Sequence, residues 1–140
     1  MNTNIEIIRN TEECYTPLVD FETWRVAGLN HCDIVDADNL TRVERHLETD
    51  EVFILTAGRA WLVVDRGAEG DTFDVIRMEP NRIYNIKRGV YHHVVMDRNA
   101  SIILVENSDT SIENSEYRDL KAREIEIGRA SCRERVCHRV

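Results

Sequence analysis

The stretch ERHLETDEVFILTAG, residues 44–58, brings four carboxylates and an imidazole up against an apolar run. Glu44, His46 and Glu51 are all metal-ligating types, and a further imidazole, His92, follows in GVYHHVVM. Two histidines and one carboxylate with open coordination positions suit Fe(II) and also accept Mn, Ni, Co or Zn. Such a centre polarises a carbonyl or activates water. Glu44 is then either a fourth ligand or a general base, because apolar surroundings raise a carboxyl pKa. The alternative is a solvated strand edge with an acidic turn, LETDE, in which His46 and His92 only hydrogen-bond between strands.

Residues this far apart need rigid elements to bring them together. Period-2 alternation and turn signals predict strands over 21–30, 41–47, 51–55, 60–64, 72–78, 82–86, 90–96 and 101–107. Residues two apart in a strand share a face. Glu44 and His46 therefore point one way, Glu51 goes with Phe53 and Leu55, and His92 goes with Val94 and Met96. His93 falls on the opposite face. TAGR, 56–59, is read as a hairpin turn joining EVFIL to AWLVV, and DRGAEGD, 65–71, as a loop. Short strands at near-regular spacing predict an all-β, antiparallel barrel or sandwich. Thr110 and Glu113 have the spacing of a capping box, so a short C-terminal helix is expected within 113–124.

VFIL, WLVV and IILV are apolar on both faces, more than one small barrel hides. A covered outer face is expected, most simply by a second copy in a C2 homodimer, with 21–30 as an edge strand. Trp24 and Arg25 on that strand are candidate substrate-binding residues at a pocket mouth, because arginine forks onto carboxylates. Tyr84 is a candidate hydrogen-bond donor to the same substrate.

The chain has 140 residues, room for one core, with ordinary hydrophobic and charged fractions of 42% and 31%. A formal net charge of −8 and the lack of a helix-turn-helix segment argue against a nucleic-acid partner. No apolar run approaches the roughly 20 residues of a membrane span, and no signal peptide is evident, so a cytoplasmic setting is expected. EIGRASCRERV, 126–136, resembles the in-frame translation of a sequencing adapter, and residues 126–140 are set aside as a non-native tail. Cys14 and Cys32 then remain, and their spacing fits neither a zinc pattern nor a disulfide framework, so free thiols are expected.

The motifs resemble those of the cupins, small jelly-roll barrels. His46, four residues, Glu51, six residues and Gly58 fit the first cupin motif, with Glu44 where the family has its first histidine. Gly89, two residues and His92 fit the second, with Lys87 in place of the family proline and Met96 in place of its asparagine. The resemblance covers roughly residues 40–107 and implies a small single-domain bacterial cupin: a barrel over 1–107, a polar segment with the short helix over 108–125, then the tail. It also implies that His46, Glu51 and His92 face inward and hold a divalent transition metal, with Glu44 as base or fourth ligand. The implied function is a metal-dependent lyase, isomerase or dioxygenase acting on a small sugar-like or carboxylated metabolite. The alternative is a cupin that binds or senses a small ligand without chemistry, since this scaffold serves many functions.

Overall fold

A computed structural model of the chain describes residues 2–67 and 73–133. The strands are β1 (Cys14–Phe21), β2 (Trp24–Asn30), β3 (Arg42–His46), β4 (Glu51–Ala57) and β5 (Ala60–Asp65). They continue with β6 (Phe73–Arg77), β7 (Tyr84–Ile86), β8 (His92–Met96), β9 (Ser101–Asn107) and β10 (Ser115–Asp119), before one helix, α1 (Ala122–Arg133). The paired strands run antiparallel in two sheets, ordered β1-β2-β9-β4-β7 and β10-β3-β8-β5-β6. This is an all-β jelly roll with a short C-terminal helix.

The two sheets face each other through the alternating residues of their strands. Ala27, Leu29, Phe53, Leu55, Ile102 and Leu104 from the first sheet join Leu62, Val94 and Met96 from the second in one core. A second apolar cluster lies on the other side of the second sheet. There Trp61, Val63 and Val95 pack with Leu40, Val43, Leu120 and Cys132 of α1. The doubly apolar run WLVV thus finds cover for its outer side within its own chain. Gly128 lets α1 approach closely, since a Cβ there would stand 2.7 Å from Leu40 Cδ2.

Several expectations change. The segment 21–30 is not an edge: β2 lies between β9 and a strand the sequence did not announce, β1, which forms the edge. TAGR is no hairpin turn, because β4 and β5 belong to different sheets and the turn carries the chain from one to the other. Gly58 makes this crossing with φ +70, and a Cβ there would fall 2.5 Å from the Ala100 Cα. The C-terminal helix begins at Ala122, beyond most of the 113–124 window. Within that window, Ser111 and Asn114 form a capping box on a single 3-10 turn, and Ser115–Asp119 then pairs with β3. A short isolated helix is marginal in water, whereas pairing on β3 satisfies the backbone of 115–119 at once. Cys14 and Cys32 are not free thiols but form a disulfide with Cα atoms 5.3 Å apart. The β1–β2 register sets Cys14 opposite Asn30, close in space to residue 32. Of the loop read over 65–71, residues 68–71 lie outside the described residues.

Gly58→Ala should destabilise the protein by about 1–3 kcal/mol from left-handed backbone strain alone, with the approach to Ala100 adding to it. Urea unfolding measures this; a loss under about 0.5 kcal/mol would contradict the crossing geometry.

Candidate metal centre

Four strands converge on one end of the space between the sheets. β3 supplies Glu44 and His46 on its inward face, and the pairing of β3 with β8 sets Glu44 opposite His92. β4 opens with Glu51, and β9 contributes Glu106 beyond Ile102 and Leu104 on the same face. His46, Glu51, His92 and Glu106 are all buried. They border a cavity of about 350 Å³ whose apolar wall includes Leu29, Val35, Phe53 and Leu104.

Glu51 Oε1 is the meeting point. It lies 3.1 Å from His46 Nε2 and 2.9 Å from His92 Nε2. The two rings stand edge to face, 5.5 Å apart. Their outer nitrogens settle what the inner ones carry. His92 Nδ1 is 2.9 Å from the Val90 carbonyl, so Nδ1 holds the proton and donates it. His46 Nδ1 is 2.9 Å from Ser115 Oγ, whose own hydrogen goes to the Ser111 carbonyl at 2.6 Å. Ser115 Oγ must therefore accept from His46, and His46 also carries its proton on Nδ1. In the neutral rings both Nε2 lone pairs then point at a carboxylate oxygen that only accepts. Such an arrangement is stable only around positive charge, from ring protonation or from a cation held between the three groups. Imidazoles fixed through the second nitrogen are the usual form of metal-bound histidine. Donor atoms of Glu44, His46 and His92 also lie within 4.8 Å of one another, as do those of His46, Glu51 and Glu106. The donor set, imidazole nitrogen with carboxylate oxygen, fits Fe, Mn, Ni, Co or Zn.

The electrostatics agree. Burial pushes the Glu51 carboxyl upward, but positive charge on the two imidazoles, His46 and His92, at its Oε1 outweighs burial and holds it well below the usual carboxylate range. Burial works against a charged His46, and Glu51 beside it more than compensates, so its pKa is raised. Glu44 is raised, first by burial and then by the Glu51 charge. Glu106 is pushed up to about 7, mainly by burial and next by Glu51.

The structure brings Glu44, His46, Glu51 and His92 together and leaves the other three predicted residues off the cavity wall. Trp24 is exposed and packs against Phe21. Arg25 binds Asp20 at 2.9 Å, the Ser108 carbonyl and the Tyr15 hydroxyl at 3.1 Å. The Tyr84 hydroxyl accepts from the Glu79 backbone N–H at 2.8 Å. Among the wall residues that were missed are Glu106, Tyr15 and Ser115. Glu106 was visible in principle, because alternation in SIILVEN puts it on the face of Ile102 and Leu104. Tyr15, whose hydroxyl donates to Glu106 at 2.5 Å, lies on β1, a strand with no clear sequence signal.

Neither a family model nor a curated protein matches the chain. Solved structures do. The nucleoside dehydratase Pac13 aligns with a TM-score of 0.53 at 3% identity, over 77% of this chain and 88% of that one. The capsular polysaccharide assembling protein CapF of Staphylococcus aureus aligns at 0.54 with 13% identity, over 73% of this chain and 30% of CapF. A cupin-2 domain protein of Shewanella frigidimarina aligns at 0.47 with 18% identity, over 72% of this chain and 84% of its own. The fold is a cupin jelly roll. In this chain the site sits between the two sheets, and the residue opposite His92 across the β3–β8 pair is a glutamate.

His93 faces away from this centre, beneath the segment around Ile34, with its Nε2 buried and unpartnered. Burial first, and the neighbouring His92 second, push its pKa down to about 4. A group held neutral this way gives stability that is complete above its unfolded pKa of about 6.5 and lost as pH falls toward 4. His93→Phe should therefore lose less stability than wild type between these pH values, by on the order of 2–3 kcal/mol at the acid end. Parallel unfolding curves for the two proteins would contradict this.

Proposed function

We propose that this cupin is a metal-dependent enzyme of the lyase, isomerase or dioxygenase type, acting on a small hydroxylated or carboxylated metabolite in the cavity between the sheets. The observation that carries the reading is the aim of two Nδ1-protonated imidazoles at one oxygen of Glu51. His46, His92 and Glu51 hold the metal, with Glu44 as fourth ligand or as the base that takes a substrate proton. The bound metal supplies Lewis-acid or redox chemistry at an open position. Phe53, Leu104 and Val35 give the site an apolar wall, which strengthens the charge interactions beside it. Arg25 acts through Tyr15 and Glu106, whose positions it fixes, and Trp24 and Tyr84 support the barrel end rather than touch substrate.

The half-buried stripe of Val26, Val52, Ile54, Ile103 and Val105 on the outer side of the first sheet is the surface we assign to a homodimer. Among the described residues no helix is long and apolar enough to cross a membrane. A cytoplasmic setting would keep Cys14 and Cys32 reduced in most cells, so free-thiol counting on protein from its native host tests that placement directly.

The full chain, purified without chelator, should contain near one Fe, Mn, Ni, Co or Zn per chain by elemental analysis. His46→Ala and His92→Ala should lose it. Ser115→Ala should weaken metal affinity by about 10–100-fold, because it removes the acceptor that fixes His46. Protein that stays metal-free after reconstitution yet binds small ligands would replace this reading with the non-enzymatic binding module.

A further inference from the structure

The charge of the cavity narrows its substrate. Three carboxylates line the wall, Glu44, Glu51 and Glu106, and neither lysine nor arginine is among the lining residues. Arg25 comes within 3.5 Å of Glu106, but Asp20 at 2.9 Å matches its charge. Two backbone carbonyls, of Ser108 and Thr110, occupy the rest of its guanidinium. Arg42 sits over the Tyr117 ring, its Cζ 4.4 Å from the centroid, and borders a separate cleft with Asp33 and Asn39.

With all three carboxylates ionised, as a bound cation favours, a divalent ion meets more carboxylate charge than it carries, and the glutamate at position 44 contributes directly to that excess. A carboxylate or phosphate entering such a site adds negative charge where water screens it poorly. The rest of the wall points the same way. Glu44 and Glu106 accept hydrogen bonds, while the hydroxyls of Tyr15, Thr110 and Ser115 already give their hydrogens to Glu106, Asn107 and Ser111, so acceptors are in excess. Hydroxyl and amino groups are the partners such a wall lacks.

We infer that the cavity selects a small substrate bearing hydroxyl or amino groups and no negative charge, with Glu106 as a residue that enforces the choice. The inference rests on the metal reading above and decides between its hydroxylated and carboxylated alternatives.

The test uses full-length protein loaded with Co²⁺ and three two-carbon probes of matched size: ethylene glycol, ethanolamine and glycolate. Each is titrated against the visible spectrum of the bound cobalt, with aqueous Co²⁺ as reference. Relative to the aqueous ion, the protein site should bind glycolate more weakly and the other two more tightly. Glu106→Gln should raise glycolate affinity at least tenfold while changing ethylene glycol little, and Glu44→Gln should move glycolate in the same direction. Glycolate bound more tightly than by the aqueous ion, or unaffected by both substitutions, overturns the inference. Absence of any protein-bound cobalt spectrum instead overturns the metal reading, so the two failures are distinct.

Discussion

The site depends on a buried carboxylate held between two imidazoles. Burying Glu51 alone is unfavourable by several kcal/mol, and its two nearest partners are rings whose protons are already fixed on the far nitrogen. The strain is relieved by positive charge placed where the three groups meet. Ring protonation or a cation held between the three groups supplies that charge, so the cluster has the donor set to hold a metal ion, and the need for it sets the demands on the surrounding structure.

Those demands are met from both sheets. His46 and His92 come from neighbouring strands of the second sheet, and Glu51 begins a strand of the first. The cluster therefore forms only when the sheets pack face to face. The pairing of β10 with β3 sets Ser115 opposite His46, so a strand outside the motif-bearing region fixes the tautomer of a candidate ligand. The Val90 carbonyl does the same for His92 from within the turn that begins β8. Phe53 packs edge-on to the His92 ring, 5.7 Å away, and limits its rotation. The Cys14–Cys32 disulfide holds the start of the strand bearing Tyr15 close to the Asp33–Val35 turn, whose Ile34 and Val35 line the cavity.

Much of this was legible from residue spacing. Alternation grouped Glu44 with His46, Glu51 with Phe53 and Leu55, and His92 with Val94 and Met96 on shared faces, the resemblance to cupins turned those faces inward, and the same rule would have placed Glu106 had the last strand been followed to its end. What escaped was set by contacts distant in sequence. β1 has mixed polarity because it is an edge, so its pattern carries little information, and with it went Tyr15 and the disulfide. Ser115 sits in a polar stretch that reads as a helix start, and only β3 makes it a strand. Arg25 looked free to grip a substrate because Asp20 lies opposite it on β1, which the sequence did not announce, and Ser108 and Thr110 come from the turn after β9. TAGR has the composition of a hairpin turn, and only the sheet assignment of its flanking strands shows otherwise.

The most direct test of the central claim is histidine-selective ¹⁵N NMR on the full chain, at neutral pH with chelator and then with one equivalent of Zn²⁺. The account predicts that Nδ1 of His46 and of His92 stays protonated throughout, and that on adding zinc both Nε2 resonances move to the position of a metal-bound nitrogen. Neutral rings carrying their protons on Nε2, unchanged by zinc, would contradict it.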